Sequence, residues 1–132
     1  MLTDRDYRTL ARFRYALRVF LRFSEEAARR EGLTPNQHQL LLAIRGFPGN
    51  GPPTIGEVAE QLQLQHNSVV ELVDRAVAAD VLRRDTDPED RRRQRLSLTP
   101  AGSKLLERLS SAHRSELRKF RDQMSDVLQQ LD

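Results

Sequence analysis

The chain has 132 residues, enough for one domain with a modest core, and no cysteine, which excludes disulfides, thiolate-held zinc and thiol redox sensing. Charged residues make up 31% and hydrophobic residues 38%, and the regular spacing of the apolar ones separates the chain from disordered sequences of similar charge. The net charge of +3 fits a polyanionic partner without demanding one; with no apolar run near the roughly 20 residues of a membrane span and no leader-like N-terminus, a cytoplasmic protein without a membrane partner is expected.

The first helical pattern opens at Thr3 or Asp4, both good N-caps. Leu10, Phe13, Leu17, Phe20, Ser24 and Ala27 follow in heptad-like steps, and Ala11, Tyr15, Val19 and Phe23 widen the stripe. Gly32 ends the helix. "LTPNQ" starts a second one, with Thr34 as cap, Pro35 in the first turn and Gln37 closing a capping box; Leu40, Leu41 and Ile44 face inward. Gly46 stops it, and "GFPGNGPP" is a loop by composition. "TIGE" is another capping box, from Thr54 to Glu57, for a short third helix that turns Ile55, Val58, Ala59 and Leu62 inward.

After a break at "QLQ", residues 65–79 read as a fourth helix with Val69, Leu72, Val73, Ala76 and Val77 on its apolar face. "VLRRD" from Val81 and "RLSL" from Arg95 read as short strands around the turn chemistry of "TDPED". Thr99 caps a last helix, with Pro100 behind it and a stripe of Leu105, Leu109, Leu117, Phe120, Met124, Leu128 and Leu131. Four helices, a hairpin and a helix describe a mainly α fold with a small β-hairpin wing: a winged helix-turn-helix lobe at 33–99, with terminal helices at 3–31 and 100–131, in one domain over 1–132.

The terminal helices are long for such a domain. Residues 100–131 would span about 48 Å at ~1.5 Å per residue, against a domain diameter of about 36 Å. The overhang still carries apolar residues, and a twofold partner would cover them. Leu10, Phe13, Leu17, Leu117, Phe120, Met124 and Leu128 are the expected dimerisation residues. The alternative is that the two ends pack on each other within one chain.

In a helix-turn-helix the second helix offers its N-terminal side chains to the major groove. Here these are Gln65, His66, Asn67, Ser68, Glu71 and Arg75. Asn and Gln suit adenine edges and Ser suits several, although Asn67 and Ser68 would equally serve as a helix cap. Arg91, Arg92, Arg93 and Arg95 crowd the hairpin, preceded by Asp87, Glu89 and Asp90. A charge run on a turn is usually only solvated, but guanidinium groups suit phosphates and narrow minor grooves, and a carboxylate beside one can aim it outward. No nucleophile–base pair or phosphate-cradling glycine loop is present, and His38, His66 and His113 lack metal-ligand spacing, so neither an enzyme nor a metal or other cofactor site is expected.

"DPEDRRRQRLSLTPAG", with "TIGEVAEQLQLQHNSVVELVDRAVAADVLRR" and "GLTPNQHQLLLAI", resembles the MarR family of bacterial transcription regulators over residues 30–106. The resemblance implies an obligate homodimer on pseudo-palindromic double-stranded DNA, and in many members repression relieved by a small phenolic or anionic effector. It implies that Arg92 enters the minor groove supported by Asp90, and that residues 65–71 contact bases. Three features depart from the family. Asp80 stands where glycine is usual, a position aspartate tolerates better than most residues. The "GFPGNGPPT" loop is longer, and the cysteine of peroxide-sensing members is missing. Two other readings remain at this point: a winged helix kept as a protein-interaction module, and a DNA-binding protein without ligand control.

Overall fold

Thr3, Thr34, Thr54 and Thr99 each begin a helix by accepting the backbone N–H three residues on, and the first three receive the reciprocal bond that completes a capping box. Each such cap is worth about 1 kcal/mol. The computed structural model describes residues 1–130. They form α1 (Asp4–Arg30), α2 (Pro35–Arg45), α3 (Ile55–Leu62), α4 (His66–Ala78), an antiparallel hairpin of β1 (Leu82–Thr86) and β2 (Gln94–Leu98), and α5 (Pro100–Gln129). Three helix ends turn through left-handed residues, Gly32 (φ 80°), Gln63 (φ 53°) and Asp80 (φ 60°). In each case the next N–H returns to a carbonyl five residues back: Leu33 to Ala28, Leu64 to Ala59 and Val81 to Ala76. Asp80 thus makes the turn that glycine makes elsewhere.

The core has two parts. Leu40, Ile44, Val58, Val69, Val73, Leu82 and Leu96 fill the winged-helix lobe, while Ala27, Leu41, Leu105, Leu106 and Leu109 join α1, α2 and α5. Val81 and Leu98 pack against both, so the base of the hairpin couples the lobe to the terminal helices. At this joint Thr99 donates its hydroxyl to the Asp80 carbonyl at 2.6 Å and its N–H to the Val81 carbonyl at 3.2 Å. Gly102 then passes so close to Val81 that a Cβ would collide with its carbonyl oxygen.

Helices α1 and α5 run antiparallel along each other. Thr9 meets Gln130, Phe20 stacks near Phe120 with ring centroids 5.2 Å apart, and Arg108 bonds Glu31. Packing of the two ends within one chain is therefore realised, along a seam that shares Ser24, Ala27 and Leu109 with the apolar stripes of the sequence but not their larger residues. The buried residues are small on α1 (Thr9, Ala16, Ser24, Ala27) and lie at Leu109, His113 and Val127 on α5. Small residues let the helices approach closely. The larger residues are displaced to the flanks: Leu10, Leu117 and Leu128 are 49%, 50% and 58% exposed, and Phe13, Leu17, Phe120 and Met124 are half-buried. Leu131 lies outside the described residues.

His38 and His113, unrelated in sequence, meet where α2, α1 and α5 converge. Their rings are 5.1 Å apart, and His113 also sits edge-on to Phe23 at 5.2 Å. His113 Nδ1 lies 2.6 Å from the Leu109 carbonyl and so carries its proton there, leaving Nε2 buried without a partner, as is His38 Nδ1. Burial, and secondarily His113, hold the His38 imidazole below its ordinary pKa. The unfolded chain then binds a proton that the folded chain refuses. Stability from this source is complete above about pH 6.5, the ordinary imidazole value, and is lost as pH falls from there toward the depressed folded value. Urea midpoints measured from about pH 7.5 down to 5 should fall for the natural chain and flatten for His38→Phe. Equal pH dependence in both proteins would remove His38 as the cause.

Candidate nucleic-acid interface

The break between α3 and α4 is only residues 63–65, and it turns the start of α4 outward. Gln65, His66, Asn67, Ser68, Glu71 and Arg75 are all exposed, while Val69, Leu72, Val73 and Ala76 anchor the opposite face. Gln65 occupies the N-cap, and its side chain makes no cap bond. Asn67 and Ser68 lie inside the first turn, so the capping role open to them in the sequence is not the one they fill. The first turn of α4 therefore presents backbone N–H groups and polar side chains with hydrogen-bonding capacity to spare, which suits an anionic or polar surface.

The hairpin tip is ordered by its aspartates. Asp87 Oδ1 accepts the Glu89 N–H at 2.9 Å, and Asp90 Oδ1 accepts the Arg92 N–H at 3.0 Å. The Arg92 guanidinium returns to Asp90, with Nε at 3.2 Å and Nη2 at 3.5 Å, and Arg93 Nε lies 3.6 Å from Asp90. These bonds, first those from Arg92, hold the Asp90 carboxyl below its usual range; Asp87 is lowered chiefly by the Glu89 N–H. Both stay ionised to low pH. The bracing leaves the Arg92 side chain 92% exposed, and Arg91 and Arg93 are exposed beside it. A guanidinium tied at its root and free at its edge is pre-oriented for a phosphate or a groove wall.

The wing and α4 are fastened together, since Arg84 on β1 donates to Asp74 on α4 at 2.6 Å. A groove of about 710 Å³ opens between Arg91–Arg95, His66 and the first turn of α3 from Thr54 to Glu57. The structure thus gathers Arg91, Arg92, Arg93 and His66 around one opening. Arg95 also borders the groove, but it is half-buried and directed at Asp87 and the Pro52 carbonyl. Nothing in the sequence pattern signalled a third edge at the wing base, where Thr54 bridges Arg95 and the Pro53 carbonyl accepts the Leu96 N–H at 2.8 Å. Among the described residues no helix is long and apolar enough to cross a membrane.

Comparison with known proteins agrees with this architecture. A profile described as the MarR family matches residues 31–93. The chain is 29% identical over 109 residues, 83% of its length, to the "Putative transcriptional regulatory protein for hcr operon" of Thauera aromatica. It spans 64% of that relative, slightly under two thirds of its length. Among solved structures it resembles AbsC, a MarR family transcriptional regulator from Streptomyces coelicolor, with a TM-score of 0.75 at 20% identity, covering 91% of this chain and 80% of AbsC. It also resembles a point mutant of MepR from S. aureus bound to an oligodeoxyribonucleotide, with a TM-score of 0.67 at 23% identity, covering 100% of this chain and 86% of MepR. The family profile thus covers the winged-helix lobe, and the fold of the MarR family structures continues through the terminal helices.

Proposed function

We propose that the protein is a transcription regulator that binds double-stranded DNA as a homodimer, with α4 in the major groove and the arginine tip of the wing in the adjacent minor groove. The observation that carries this reading is the pairing of a tip braced by Asp90 with a polar, uncapped helix start on the same face. The transcriptional role of the Thauera relative and the oligonucleotide bound to MepR support it. In this reading Gln65, His66, Asn67, Ser68, Glu71 and Arg75 meet bases or nearby phosphates, Arg91, Arg92 and Arg93 meet the backbone, and Asp90 aims Arg92. The regulator is a repressor on a pseudo-palindromic operator, with half-sites about one helical turn apart, and a small anionic or phenolic effector releases it, as the resemblance implies.

Selection of bound fragments from random duplex DNA tests the reading and reports the half-site spacing. Arg92→Ala should weaken binding to selected and unselected duplexes alike. Its plot of log affinity against log salt should be shallower by about one unit, the signature of one lost phosphate contact. A protein indifferent to every duplex at low ionic strength would instead be an interaction module, and binding unmoved by Arg92→Ala would take the wing out of the interface.

A further inference from the structure

One arginine of the wing is employed differently from its neighbours. Arg95 donates from Nε and Nη2 to Asp87 Oδ2 at 3.2 and 3.1 Å, and from Nη1 to the Pro52 carbonyl at 2.8 Å; Glu57 Oε1 lies 3.7 Å from Nη1. Asp87 is only 4% exposed, and its other oxygen holds the Glu89 N–H that shapes the turn into the tip. The main chain adds to the same joint, through the bridge from Thr54 to Arg95 and the bond from Leu96 to the Pro53 carbonyl. One guanidinium therefore reaches three separate segments: the turn below the tip, the 46–53 loop, and the first turn of α3.

A two-stranded hairpin is a weak, twistable element by itself, and a small rotation at its base swings the tip through a larger distance. The fork of a guanidinium can satisfy acceptors on several segments at once, which a lysine ammonium does poorly. The 46–53 loop supplies one of these acceptors, the Pro52 carbonyl, while the neighbouring Pro53 carbonyl takes the Leu96 N–H, both at residues whose φ is fixed by their rings. We propose that Arg95, with Asp87, is a positioning residue: it latches the wing to the helix-turn-helix unit and sets where Arg91–Arg93 stand relative to α4, without itself touching DNA. The inference rests on the DNA-binding reading for its effect on affinity, but the latch itself is measurable without DNA.

Asp87→Asn separates this from simple electrostatics by sign. Removing a negative charge from a surface that meets a polyanion should tighten binding, whereas unlatching the wing should weaken it, by roughly tenfold for a lost charge-assisted bond. The probe is a labelled duplex of mixed sequence at low salt. Arg95→Lys, which keeps the charge, should be nearly as weak as Arg95→Gln. When added to Arg92→Ala, Arg95→Gln should cost little more, because its effect passes through the tip. Tighter binding by Asp87→Asn, rescue by lysine, or an additive loss with a further unit off the salt slope would each make Arg95 an ordinary phosphate contact. Hydrogen exchange on the free protein completes the test. In Arg95→Gln the Glu89 and Leu96 amides should lose protection while those of α4 keep it; unchanged wing protection overturns the latch even if no duplex binds. Global loss of protection would also overturn it, since Arg95 would then serve the fold as a whole.

Discussion

Gly102→Ala is expected to lower the free energy of unfolding by about 3 kcal/mol, although alanine is the better helix former by about 1 kcal/mol. The two effects oppose each other in sign, which makes the experiment decisive. Gly102 lies in the first turn of α5, where propensity alone favours alanine. The added Cβ, however, would collide with the Val81 carbonyl oxygen. That neighbour is backbone and cannot rotate aside. Relief requires lifting the start of α5 from the hairpin, which strains the Thr99 bonds to Asp80 and Val81 and opens the place where Val81 and Leu98 join the two halves of the core. Overpacking of this kind typically costs about 1–3 kcal/mol, and backbone contact places it at the upper end. A urea titration showing Gly102→Ala as stable as the natural chain would mean that the joint yields easily, and the coupling of lobe to terminal helices would lose its basis.

That glycine also marks what the sequence could reveal. It stands three residues after Thr99 in the sequence, but the carbonyl it accommodates lies 21 residues earlier and only the fold brings the two together. Helix starts were legible because a cap and its partner lie three residues apart. The exposed start of α4 was legible because its apolar face has helical period, and Asp90 with Arg92 because they lie two residues apart. Legibility failed wherever distant segments compete for one side chain. Arg95 looked like its neighbours until Asp87, Pro52 and Glu57 closed around it. His38 and His113 were separate until three helices buried them together. The seam between α1 and α5 was legible only in part, at Ser24, Ala27 and Leu109: hydrophobic periodicity weights large residues, whereas close antiparallel packing selected Thr9 and Ala16 and left Leu10 outside.

The residues left outside lead to the second large effect. Leu117→Glu combined with Leu128→Glu is expected to convert the proposed dimer into a folded monomer and to weaken duplex binding by about 10²-fold or more, because two linked half-site contacts become independent. The intrachain seam runs through Leu109, His113 and Val127 on α5, so Leu117 and Leu128 are free to serve a second surface. With Leu10, Tyr15 and Leu21 also 45–65% exposed on α1, one monomer presents more apolar side chain along its terminal helices than solvent exposure favours. Two carboxylates buried at a twofold interface become four, each costing several kcal/mol in desolvation unless paired. Because α1 already packs on α5 within the chain, the monomer keeps a core of its own, and circular dichroism should retain its helical signal. Sedimentation at micromolar concentration reads the outcome directly. A double variant that still sediments as a dimer would place the interface elsewhere on the molecule, and a natural chain that sediments as a monomer would leave α1 and α5 as a closed pair.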